Sequence, residues 1–141
     1  MRVIVLATLL TLMTAPAHAG NELKAQFSCA PWSGQSLSLT IGWPENTAYV
    51  NIWGDALTSL QNGSSKSVTI DNAEGSNGTG GAQICNTKAG KVCSVKNVTL
   101  DFTVLNLEVG GTLKGTIKLD LGDTAGIPFE GTLTGSHEIC G

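Results

Sequence analysis

Tyr49, Asn51 and Trp53 occupy alternate positions of a single run, and Trp32 lies upstream on a Pro31-Trp32-Ser33-Gly34 turn. Aromatic faces beside an amide can stack on sugar rings or aliphatic ligands while the amide fixes orientation. These four residues are the ligand-binding candidates. Asp101 and Asp120 form a second constellation. If Gly110-Gly111 is a two-residue hairpin turn, Val109 pairs with Thr112, and the two aspartates stand opposite each other across neighbouring strands. Opposed like charges are destabilising unless a cation bridges them or they share a proton, which makes the pair a weak metal site or the acid pair of a hydrolase.

Other chemistry is thinner. Asp71 to Asn77 offers carboxylate and amide oxygens, suited to Ca²⁺, but lacks the D-x-[DN]-x-[DN]-G spacing. Beyond residue 19 there is one histidine, His137, and its neighbour Ser136 points to the opposite face of a strand. The chain has no G-x-S-x-G, H-E-x-x-H or C-x-x-C. The residues therefore predict no catalytic group, no metal and no cofactor.

Strands must position these groups, because apolar residues recur with period two and no stretch sustains a 3.6-residue period. Leu23, Ala25 and Phe27 mark a first strand. Leu37, Leu39, Ile41 and Trp43 share one face of a second, and Gly42-Trp43-Pro44-Glu45-Asn46 turns the chain. Ala48, Val50 and Ile52 then face inward, placing Tyr49, Asn51 and Trp53 outward. Val68 and Ile70 suggest a short strand. Residues 71–91, rich in Gly and Asn, read as a long loop.

Val98–Val109, Thr112–Leu121 and Ile127–Ile139 read as a terminal three-stranded meander. In the second hairpin, with Leu121 opposite Ile127, Lys118 faces Glu130 and glycines repeatedly stand opposite large residues. In the register set by Gly110-Gly111, Leu100 faces Leu121 and Phe102 faces Leu119. Leu105, Leu107 and Val109 fall outward in that register. That requires either a bulge near Val104-Leu105 or an apolar strip that meets another surface. The expected fold is all-β: an antiparallel β-sandwich or small closed barrel of about seven to eight strands.

The ends and composition set the compartment. Arg2, the apolar run Val3–Met13 and the small residues Ala15-Pro16-Ala17-His18-Ala19 read as a signal peptide over 1–19, followed by a single domain over 20–141. Without Arg2, the domain has seven lysines, eleven acids and no arginine, a net charge of −4. An arginine-free acidic chain argues against nucleic acid and anionic membranes as partners. Four cysteines in an exported chain predict two disulfides, Cys29–Cys140 joining the ends and Cys85–Cys93 closing a short loop.

The expected protein is periplasmic or secreted, does not insert in a membrane after signal cleavage, and binds without catalysing. Its ligand would be a glycan, an exported hydrolase or another protein. The alternatives are a structural or envelope-interaction subunit and a hydrolase built on the aspartate pair.

Overall fold

The computed structural model describes residues 21–30, 34–71, 79–86, 88, 92–119 and 125–135. Among them are nine strands and one helix: β1 (Asn21–Ala30), β2 (Gly34–Trp43), β3 (Asn46–Ile52), α1 (Gly54–Gln61), β4 (Ser67–Ile70), β5 (Gly80–Asn86), β6 (Val92–Val95), β7 (Val98–Leu105), β8 (Thr112–Leu119) and β9 (Ile127–Leu133). All nine strands join one sheet in the order β4-β7-β8-β9-β1-β2-β3-β5-β6, curled into a half-barrel.

The expected closed sandwich or barrel of seven or eight antiparallel strands is therefore corrected to an open, mixed sheet of nine. Strands β7, β8 and β9 are consecutive antiparallel neighbours. They do not end the sheet, because the far side of β9 pairs with β1 in parallel, setting Glu22 beside Glu130 and Lys24 beside Thr132. The first and last strands are thus adjacent in the middle of the sheet, and its edges are β4 and β6.

Period-two alternation explains which face is buried. Leu23, Ala25 and Phe27 on β1, Leu37, Leu39 and Ile41 on β2, and Ala48, Val50 and Ile52 on β3 all point into one apolar cluster. Val98, Leu100 and Phe102 on β7, Leu113 and Ile117 on β8, and Phe129 and Leu133 on β9 complete it from the other half. The opposite face carries mostly Ser, Thr, Gln, Lys and Glu. At Gly115 the register sets Phe102 on one side and Phe129 on the other. The two rings meet edge to face at 5.7 Å over a residue with no side chain.

Two elements depart from the sequence expectation. Helix α1 spans only eight residues and buries Leu57 and Leu60 at i, i+3, too short a pattern to register as a period. Trp53 precedes it in extended conformation, and its N–H donates to the Thr79 carbonyl at 3.0 Å. The second departure is β5, which occupies the middle of the expected 71–91 loop and pairs with β3 from Ile52↔Gly80 to Asn46↔Asn86. Of its inward residues Gly80, Ala82 and Ile84, only Ile84 is large, so alternation gave too weak a hydrophobic signal. Gly80 is required where it stands: a Cβ there would strike the Asn51 carbonyl and crowd Ile70 at 3.2 Å.

The β7–β8 register also differs. Leu100 faces Ile117 rather than Leu121, and Lys114 rather than Lys118 faces Glu130. Gly110 and Gly111 are not a two-residue turn. Asn106 N–H bonds the Thr112 carbonyl across a longer loop, which docks on β9 through Gly110 N–H to Leu133 O and Leu133 N–H to Gly111 O. A bulge between Phe102 and Val104 switches the faces, and the Thr103 hydroxyl ties it to the Lys114 carbonyl at 3.2 Å. Leu105 and Leu107 consequently pack on the core, leaving Val104 and Val109 exposed.

Cys85 and Cys93 face each other across β5 and β6 and form a disulfide. Cys29 is also disulfide-bonded; its expected partner, Cys140, lies outside the described residues. Replacing Cys85 and Cys93 together by serine is expected to cost about 2.5 kcal/mol, the chain-entropy value for so short a loop. The denaturant midpoint with unchanged m-value reads that loss.

Candidate functional site

Outward positions of four central strands form the site. On β1 they are Glu22, Lys24 and Gln26, on β2 Ser38, Thr40 and Gly42, on β3 Thr47, Tyr49 and Asn51, and beyond β9's inner residues Thr132 and Thr134. Their registers align Thr132, Lys24, Thr40 and Tyr49 as neighbours on successive strands.

A hollow of about 660 Å³ opens at the β2–β3 end of this face. Tyr49, Trp43 and Pro44 line it with Asn46, Thr47 and Thr40, and Glu22 and Lys24 border it on β1. Gly42 lies among them without a side chain. A Cβ added there meets nothing within 4 Å, so its absence is what keeps that part of the hollow open. The turn that carries Pro44 is tight: Glu45 has φ of 73°, in the left-handed region, and its carboxylate pairs with Lys88 Nζ at 2.6 Å. A second hollow of about 470 Å³ adjoins the first, and Glu22, Lys24 and Thr40 line both. Gln26, Ser38, Thr132 and Thr134 continue it toward β9.

Hydroxyls of this face are fixed by one another. Ser36, buried, donates to the Ser28 carbonyl at 3.3 Å and lies 2.9 Å from Ser28 Oγ. Ser28 Oγ lies 3.2 Å from Ser38 Oγ, and Ser38 donates to Asn51 Oδ1 at 2.7 Å. Asn51 thus anchors Ser38 in the groove wall. It does not itself line either hollow.

Comparison with family models, curated proteins and solved structures finds no match.

The structure regroups the residues singled out from sequence. Tyr49 and Asn51 do share the outer face of β3, but Trp53 leaves the strand to precede α1, where it is half-buried. The other aromatic residue lining the hollow with Tyr49 is Trp43. Strand parity points Trp43 inward, and it does pack against the core; as the last residue of β2, before Pro44, it is only half-covered and also lines the hollow. Trp32 lies outside the described residues, as do His137 and residues 72–78 of the oxygen-rich loop.

The aspartate pair is corrected. Asp101 faces Thr116 on β8 and accepts a hydrogen bond from Ser67 Oγ at 2.8 Å on β4, while Asp120 lies outside the described residues. The predicted opposition depended on a two-residue turn that the longer loop replaces. Asp101→Asn is therefore expected to move stability by less than about 1 kcal/mol and to leave ligand binding unchanged, read by denaturant unfolding and titration on one preparation.

Among the described residues no three of His, Cys, Asp and Glu cluster at metal-binding separation. No helix among them is long and apolar enough to cross a membrane.

Proposed function

We propose that this chain is an exported, non-catalytic binding module whose ligand is a glycan. One observation carries the reading: Tyr49 on the outer face and Trp43 at the end of β2 line one hollow, together with the neutral hydroxyls and amide of Thr40, Thr47 and Asn46 and the opposite charges of Glu22 and Lys24. Sugar rings present apolar C–H faces and a rim of hydroxyls, which match rings and amides respectively. Export is supported by the apolar leader with its A-x-A end and by disulfide-bonded cysteines, which persist in oxidising compartments. An exported hydrolase or another protein would need a larger, less concave contact than these hollows offer.

Gly42→Val tests the site without touching the fold. The added Cβ meets nothing within 4 Å, so stability should stay within about 0.5 kcal/mol of the parent while glycan binding is lost. Trp43→Ala should weaken binding at least tenfold, measured by calorimetric titration. Full affinity in the Gly42→Val protein would remove the groove from consideration.

A second reading, the envelope-interaction subunit, has its own observation. Strand β6 is the last in the sheet among the described residues and exposes Val92 and Val95 at 63% and 66%. An apolar edge strand is a template for pairing with another chain. That reading predicts concentration-dependent association abolished by Val95→Lys, checked by sedimentation velocity; a monomer at all concentrations rejects it.

A further inference from the structure

The glycan reading leaves open what length and charge of chain the site takes, and the two hollows bear on both. They share Glu22, Lys24 and Thr40, so they form one groove running across the strands instead of along them. From the geometry we infer that the ligand is a linear, uncharged oligosaccharide lying from Trp43 and Tyr49 at one end to Thr132 at the other, its middle over Lys24. The inference rests on the proposed glycan function and makes it specific.

Three features argue for it. The first is spacing. Tyr49, Thr40, Lys24 and Thr132 are successive register neighbours on β3, β2, β1 and β9, a row spanning about 14 Å at the usual distance between strands. A pyranose chain advances by about one strand spacing per ring, so each ring meets one side-chain partner of the row.

The second is hydrogen-bonding capacity. All four strands are paired on both sides, so their main-chain groups are used within the sheet. An added peptide strand has no edge to pair with here. Only side chains remain to bond a ligand, mostly hydroxyls and amides beside Glu22 and Lys24, and these suit a chain whose own polar groups are lateral hydroxyls.

Charge is the third. Glu22 and Lys24 are the charged residues lining the groove, and they have opposite sign. Beyond them the wall is neutral, with Gln26, Ser38, Thr132 and Thr134 continuing it toward β9. Among the described residues nothing in the groove offers net compensation for a carboxylate on every ring.

Among the described residues the aromatic ones lie at one end, so that end holds the first rings tightly and the polar end adds affinity ring by ring. The experiment is calorimetric titration of the folded protein with cello- and chito-oligosaccharide ladders from dimer to hexamer. Affinity should rise about tenfold from dimer to tetramer and then level off. The exposed double variant Gln26→Ala/Thr132→Ala, with an unchanged unfolding midpoint, should bring the tetramer down to the dimer's affinity and leave the dimer unaffected.

Equal affinity for dimer and tetramer, with Trp43→Ala still abolishing both, overturns the extended groove and leaves the glycan reading standing. Tighter binding of an oligogalacturonate ladder overturns the uncharged ligand alone. Silence across every ladder overturns the inference and the glycan reading together.

Discussion

Gly115→Val should cost about 4 kcal/mol or more, a large share of the 5–15 kcal/mol that holds a domain of this size together. A Cβ at Gly115 would overlap the Asp101 carbonyl oxygen and lie 2.9 Å from Phe102 Cα. Both are backbone atoms of β7, which cannot swing aside because β4 pairs along its other side. The whole β7–β8 pairing must open to admit even one methyl. Gly42→Val is the matched control: the same substitution, also in a strand, into empty space. Denaturant unfolding of the two variants side by side separates close approach from the general effect of replacing a strand glycine. Equal midpoints would mean that β7 and β8 are not as close as described.

The inward face was readable because parity is robust. In β7 and β8 the expected and observed partners of Leu100, Leu121 and Ile117, are four residues apart. An even slip changes who opposes whom but not which face a residue occupies. Leu100, Phe102 and Ile117 therefore stayed inward, while Asp101 lost its expected partner. The bulge was readable for the same reason. Leu105 and Leu107 fell on the wrong face, and one extra residue near that point was the economical remedy.

Elements with weak apolar content were not readable. In β5 two of the three inner positions, Gly80 and Ala82, supply shape and only Ile84 is large, while α1 offers only Leu57 and Leu60 as buried anchors. The site shows the same divide. Tyr49 could be found from local alternation. The groove depends on β9 lying parallel beside β1, a contact between residues more than a hundred positions apart, such as Asn21 and Phe129. No local pattern encodes that neighbour. Trp43 was read as inward and does pack on the core, but alternation has nothing to say about its also reaching the hollow where the strand stops being covered.

That parallel contact also ties the groove to the core. Strand β9 turns Phe129 and Leu133 inward and Thr132 outward, so the groove's far wall is only as fixed as the packing behind it. Phe129→Ala should destabilise the protein by about 3–5 kcal/mol, toward the upper end. The cost of such a cavity depends on whether neighbours can collapse into it. Here two of the register neighbours on β8 and β9 are glycines: Gly115 lies opposite Phe129, and Gly131 stands two residues along the strand. Neither has a side chain to move.

Phe102→Ala and the double variant complete a thermodynamic cycle. The edge-to-face contact predicts a coupling of about 0.5–1.5 kcal/mol between the two rings, beyond their separate burial. Additive losses in the cycle would show that the rings stabilise the core independently. A loss below about 2 kcal/mol for Phe129→Ala would show that the space above Gly115 refills, and the groove wall would then no longer depend on this ring.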